Sequence, residues 1–190
     1  MSQAHHLLEH FAAYIPVREE LAHQISLRIK PQHFRKGEMV LDADTVCTKS
    51  WFVTSGLLRG YFVKDGREVS EYFSAEGEWT NSPRSFMQRR KDIYYLDAIE
   101  PTDVYTLQVQ DLLYLFDTFP EMERYSRLAM GTLFGHFMER ITSLRFTTAK
   151  EKYAHFCHTY AGVHHRIPLG MVASYLGMAP ETLSRIRGNR

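Results

Sequence analysis

The segment that constrains this chain most is its last two dozen residues, 167–190, reading IPLGMVASYLGMAPETLSRIRGNR. Val172 and Leu176, four apart, and Leu183 and Ile186, three apart, give two short stretches one apolar face each. That is the spacing of amphipathic helices. Between them Gly177 can take the positive φ that ends a helix. Pro180 suits a first turn, where its missing N–H has no intrahelical partner to lose. Ala173 is small where two such helices would cross closely. The pattern predicts two short helices around a tight turn, a helix-turn-helix, which places its second helix in the major groove of DNA. There Glu181, Thr182, Ser184, Arg185 and Arg187 are the side chains able to reach base edges and phosphates. A helical hairpin that merely packs is the plainer alternative.

Charge distribution favours the DNA reading. From Arg145 onward there are seven Lys/Arg and two acids, against sixteen and twenty in the remainder. A net charge of +1 therefore conceals a basic end on an acidic body, the footprint of a nucleic-acid module. Four histidines in the same end, at 155, 158, 164 and 165, add positive charge below neutral pH.

The 190 residues suffice for one full domain and a small second one. With 44% hydrophobic and 13% aromatic residues the chain can build a core, so disorder is not expected. No apolar run approaches the ~20 residues of a membrane span, and the polar N-terminus with His5, His6 and Glu9 does not read as a signal peptide. Cys47 and Cys157 are far apart and give no disulfide framework. A reducing cytoplasm is the expected location.

Along the chain the hydrophobic period changes twice. Residues 3–29 are predicted helical, with Leu7, Leu8, Phe11 and Ile15 in one helix and Leu21, Ile25 and Leu27 in a second after Pro16. From Lys30 to about Val109 short apolar runs alternate with turns. Strands are expected at 51–54, 57–63, 69–73, 94–99 and 104–109, with Asp65-Gly66 as a hairpin turn. Many short strands at such spacing predict an antiparallel roll. Residues 111–145 return to helix: Asp111 is expected to cap a short helix ending near Pro120, and a long helix begins there. In it Met130, Phe134, Phe137, Ile141 and Leu144 are spaced 4-3-4-3, the rhythm of a seam between paired helices. Gly131 and Gly135 beside it suit close approach of a neighbour. The reading is a dimer seam; a stripe packed on the chain's own roll is the alternative.

Helices, a β-roll, a long pairing helix and a helix-turn-helix follow one another here in a set order. The residues 34–38 (FRKGE), 51–61 (WFVTSGLLRGY), Asp65-Gly66, Gly77-Glu78, 98–104 (AIEPTDV) and 181–186 (ETLSRI) occur along it. In this the chain resembles the Crp/Fnr family of bacterial transcription regulators over nearly its whole length, and looks like the short members common in Bacteroidetes. The resemblance implies an α+β fold: an N-terminal antiparallel β-roll (a cyclic-nucleotide-binding-like jelly roll) with flanking helices over 1–118, a long dimerisation helix over 119–145, and a C-terminal helix-turn-helix over 146–190. It implies double-stranded DNA, a second copy of the chain and RNA polymerase as partners, and no membrane. A small-molecule effector would sit in a pocket that includes Gly77 and Glu78; Arg84 and Arg89 in the basic loop that follows are candidates to hold an anion there, the alternative being a loop that is only a solvated face.

The departures from the family pattern are informative. Nucleotide-binding members follow Gly-Glu with an arginine that grips the cyclic phosphate. Counted back from Ala98, that position holds Asp92, followed by bulky Ile93 and Tyr94. A carboxylate repels the anion an arginine would hold, so cyclic AMP is not the expected effector. Trp79 could fill the cavity from inside. The family's recognition helix opens with Arg-Glu-Thr, whereas this one has Pro180-Glu181-Thr182, retaining Arg185. That implies a shifted base preference. Ala179 stands where Ser commonly caps, and the chain ends at Arg190, so the resemblance implies a reader without the β-hairpin wing of longer members.

His155-x-Cys157-His158 with His164-His165 lacks a carboxylate or second thiol nearby in sequence, and no metal is assigned. Residues 30–109 hold a single histidine, His33, too few for a cupin-type metal enzyme. No catalytic residue, cofactor motif or nucleophile–base order stands out, and no enzyme is expected. The alternative function is a degenerate sensor or protein-interaction module on the same fold without tight DNA binding.

Overall fold

The structure, a computed structural model, describes residues 4–188, and of Phe146 the backbone only. Two helices open it, α1 (His5–Ala12) and α2 (Glu19–Arg28). Leu7, Phe11, Leu21 and Ile25 are buried as their spacing predicts, whereas Leu27 points to solvent. It follows Ile25 by two residues and so falls off the apolar face.

Eight strands come next: β1 (Lys30–Phe34), β2 (Met39–Leu41), β3 (Lys49–Ser55), β4 (Leu58–Lys64), β5 (Arg67–Ser74), β6 (Trp79–Thr80), β7 (Tyr95–Ala98) and β8 (Thr102–Gln108). They form two four-stranded sheets, ordered β1-β8-β3-β6 and β2-β7-β4-β5. Two turns show why particular residues stand where they do. Asp65 and Gly66 both have positive φ (52° and 73°), the two-residue turn that matches strand twist. Gly56 has φ +100°, and a Cβ there would lie 2.5 Å from the Thr102 Oγ1 and 2.6 Å from the Pro101 carbonyl. Only glycine lets the β3–β4 connection pass the start of β8.

Pairing of Phe52 with both Tyr105 and Trp79 puts these three on one sheet face. That face meets α1, α2 and the helices α4 (Val109–Thr118) and α5 (Pro120–Phe146) in a core containing Leu7, Phe11, Phe52, Leu107, Leu115 and Met122. Each large apolar side chain fully buried there contributes about 1.5–3 kcal/mol. Trp79 lies 5.3 Å from the Phe52 ring and 6.3 Å from Phe11, so it packs under the helices and does not plug the roll from inside. Register decided this, since a one-residue slip would have reversed its face. Asp111 is not a cap either. Helix α4 starts earlier, with Gln108 preceding Val109, and Asp111 sits in its first turn, where a carboxylate still complements the helix dipole.

A short helix the sequence did not reveal, α3 (Pro83–Gln88), lies between β6 and β7. The chain ends in α6 (Ala149–Thr159), α7 (Leu169–Tyr175) and α8 (Pro180–Gly188). By internal contacts it forms two compact units. One takes in the chain up to Gly60 together with Phe73–Gly131; the other takes Tyr61–Tyr72 together with the chain from Thr132 onward.

Candidate nucleic-acid interface

Local chemistry builds the C-terminal unit. Helix α6 starts with a capping box: the Glu151 N–H donates to Thr148 Oγ1 (3.3 Å) and the Thr148 N–H to Glu151 Oε2 (2.7 Å). That backbone hydrogen bond holds the Glu151 carboxyl below its ordinary pKa. The Thr-x-x-Glu pattern at 148–151 was readable in sequence as a helix start. Helix α7 ends as Gly177 predicts. Gly177 has φ +64°, its N–H donates to the Ser174 carbonyl (3.2 Å), and the Met178 N–H donates to the Ala173 carbonyl (3.0 Å). These two bonds make a Schellman stop. Helix α8 then opens on Pro180, with the Ala179 carbonyl accepting from the Leu183 N–H at 3.2 Å.

Packing decides which face of α8 is presented. Leu183 is fully buried, Ile186 half-buried, and Val172 and Ala173 of α7 and Leu176 just past its end are buried with it. Phe156 of α6 and Tyr175 of α7 close this small core, their rings 5.3 Å apart. Leu183 therefore turns Glu181, Ser184, Arg185 and Arg187 outward, while Thr182 is half-buried. The Arg185 guanidinium donates to Thr182 Oγ1 at 3.4 Å. Among the described residues no carboxylate pairs with Arg185 or Arg187. An unneutralised guanidinium on an exposed helix can pair bidentately with guanine O6 and N7, and Glu181 can accept from cytosine N4.

The expected seam on α5 lies along a largely uncovered face. Phe134 is 67% exposed, Met130 52% and Ile141 47%, joined by exposed Leu128, Leu133 and Met138. Phe137 and Leu144 are half-buried. Among the described residues outside the helix's own neighbouring turns, nothing lies within 4 Å of a Cβ built on Gly131 or Gly135.

The expected effector residues are engaged locally. Gly77 has φ +84° in the β5–β6 turn, and Glu78 is exposed, its carboxylate accepting from the Ala75 N–H at 2.9 Å. Arg84 of α3 donates through Nε (3.1 Å) and Nη2 to Asp92. The Asp92 side chain is 1% exposed and also accepts from the Ile93 N–H (2.8 Å) and the Ser82 hydroxyl (3.1 Å). Burial opposes its ionisation, but the hydrogen bonds from Arg84, Ile93 and Ser82 outweigh it and hold its pKa below the ordinary value. Arg89 closes α3 with φ +55° and lies over the Phe86 ring at 5.2 Å. The Arg84–Asp92 pair had no sequence signal, since oppositely charged residues eight apart carry no fixed geometry.

Histidines of the C-terminal unit bond locally, His155 to Thr159 and His164 to backbone carbonyls. Among the described residues no group of three His, Cys, Asp or Glu side chains could hold a metal.

No sequence-family model and no curated protein matches this chain. Solved structures do. FixK2 from Bradyrhizobium japonicum superposes with a TM-score of 0.73 at 20% identity, covering 85% of this chain and 83% of its own. A protein from Eubacterium rectale assigned to the Crp/Fnr family of transcriptional regulators gives 0.70 at 21%, covering 93% and 87%. The c-di-GMP-responsive global regulator CLP of Xanthomonas campestris gives 0.69 at 14%, covering 88% of each. At these identities the likeness is one of architecture: this chain has the fold of Crp/Fnr-type transcriptional regulators.

Proposed function

We propose that this protein is a homodimeric, DNA-binding transcriptional regulator of the Crp/Fnr type. The observation that carries this reading is α8, which buries Leu183 and turns Glu181, Ser184, Arg185 and Arg187 outward, with no carboxylate among the described residues paired to either arginine. The +5 formal charge from Arg145 onward supplies the nonspecific attraction. Pairing through the α5 face would cover Met130, Phe134, Phe137, Ile141 and Leu144. It would also carry two α8 helices, as half-sites about one helical turn apart require. In this reading 1–118 senses or scaffolds, 119–145 pairs and 146–190 reads. RNA polymerase is the further partner expected of such a regulator, and the cytoplasm its location. No helix among the described residues is long and apolar enough to cross a membrane.

Cyclic AMP is not the effector expected of this chain. Where the nucleotide-binding pattern needs an arginine for the phosphate, Asp92 occupies the position and ties Arg84 to itself. Any ligand of Gly77, Glu78, Arg84 and Arg89 would have to displace that pair or do without it.

Binding to random duplex over a salt series tests the function. A regulator loses affinity steeply as salt rises, with a log–log slope near −0.9 per phosphate contacted. Site selection from randomised DNA should then return two half-sites. A protein-interaction module on the same fold would show neither the slope nor a selected sequence.

A further inference from the structure

Arg140 of α5 stands where three elements meet. One Nη donates to the Glu71 carboxylate of β5, and the guanidinium lies over the Tyr175 ring of α7, 4.3 Å from its centroid. The side chain is 13% exposed, and its buried Nε has no hydrogen-bond partner among the described residues. Beside it, the Ser70 N–H of β5 donates to Ser174 Oγ (2.8 Å), and the Ser174 hydroxyl donates to Ser70 Oγ (3.1 Å). Ser70 is fully buried. Two consecutive residues of the strand thus meet two consecutive residues of the first helix of the helix-turn-helix, with Arg140 at the junction. The Ser70 amide, bonded to a residue 104 positions away in sequence, reports this junction by its exchange with solvent.

A guanidinium can hydrogen-bond a carboxylate in its plane while stacking an aromatic on its face, which an ammonium cannot do at once. Separating it from Glu71 would leave a poorly hydrated charge beside the already unsatisfied Nε. The clasp is therefore closed or open rather than graded.

We propose that Arg140 is a positioning residue for the DNA-reading unit: it fixes α7, and with it α8, to α5 and the β4–β5 hairpin. Hairpin displacement and presentation of α8 then belong to one equilibrium. Strands β4 and β5 run on through Leu58–Gly60 and Phe73–Ser74, so a change along them reaches Ser70 and Glu71 through the backbone and α7 through their bonds to Ser174 and Arg140. This inference rests on the DNA-reading function proposed above for its consequence, but not for its geometry.

The test is amide hydrogen exchange on the full-length protein, comparing wild type with Arg140→Gln, Arg140→Lys, Glu71→Gln and Ser174→Ala, alongside affinity for a selected duplex. Arg140→Gln and Glu71→Gln should speed exchange across 169–188 by about tenfold or more, with Arg140→Lys between them and wild type and Ser174→Ala smaller. Exchange in α1 and α2 should not change, and duplex affinity should fall in the same order with the oligomeric state unaltered. Unchanged exchange in α7 and α8 overturns the proposal, as does uniform acceleration that includes α1 and α2. Should Arg140→Gln not fold, Glu71→Gln and Ser174→Ala decide it. If wild type binds no duplex while exchange responds as stated, the DNA-reading function fails and the clasp stands.

Discussion

Arginine occurs on exposed turns of both the α3 loop and α8, and the company it keeps differs. Arg84 is held by a buried carboxylate that also accepts from a backbone N–H and a hydroxyl. Arg185 donates to the Thr182 hydroxyl at 3.4 Å and, among the described residues, pairs with no carboxylate. The first arginine has its anion supplied from within the chain. The second has none among the described residues. Net charge cannot distinguish them, because both segments are basic by count. What separates a ligand-binding cation from a structural one is whether a desolvated acid is already within reach.

Four substitutions would break or sharpen that contrast, the largest effect first. Phe134→Asp puts a charge in the middle of the exposed α5 face. It should leave the monomer folded, abolish self-association in sedimentation, and weaken duplex binding by roughly 100-fold or more, since two linked readers become one. A dimer that persists would remove α5 from the interface.

Arg185→Ala should weaken specific binding by roughly 1–3 kcal/mol and relax preference at one base position, read by competition with singly substituted duplexes. An equal loss for every duplex would make Arg185 a phosphate contact instead.

Asp92→Asn tests the other side of the contrast. It should destabilise the protein by about 1–2 kcal/mol at neutral pH, the low end applying because Arg84 is half exposed. The carboxyl is held below its ordinary value of 3.8, so its contribution is present above that value and is lost as pH falls through the lowered one. Thermal unfolding of wild type and variant should therefore converge in acid. A gap that widens instead would mean the ion pair is not what Asp92 supplies.

Ala179→Ser gives α8 the side-chain cap it lacks and should stabilise the C-terminal helices by about 0.5–1 kcal/mol. Its effect on base preference should be nil, which checks that α8 is held by packing of Leu183 and not by its cap.

Much of the C-terminal helix pair was legible because its determinants are local. Gly177 ends α7 through its own φ, Pro180 opens α8 through its missing N–H, and Leu183 sets the buried face by helical spacing. The hairpin at Asp65-Gly66 was legible for the same reason. Helix α3 was not: Pro83 at its first turn and six residues leave too little period to detect. Trp79 was misplaced because its face depends on pairing with Phe52, a partner 27 positions away that no local pattern names.

By itself, then, the sequence determined the succession of helical, strand-rich and helical regions, the turns at Asp65-Gly66 and Gly177, the apolar stripe on α5 and the basic character of the C-terminal end. Each is written in spacing and backbone preference over a few residues. Only the tertiary structure decided that Asp92 neutralises Arg84 and that Ser70 and Glu71 meet Ser174 and Arg140. The physical reason is the same throughout. A hydrogen bond or ion pair between distant residues gains its strength from burial, and burial is a property of the assembled fold.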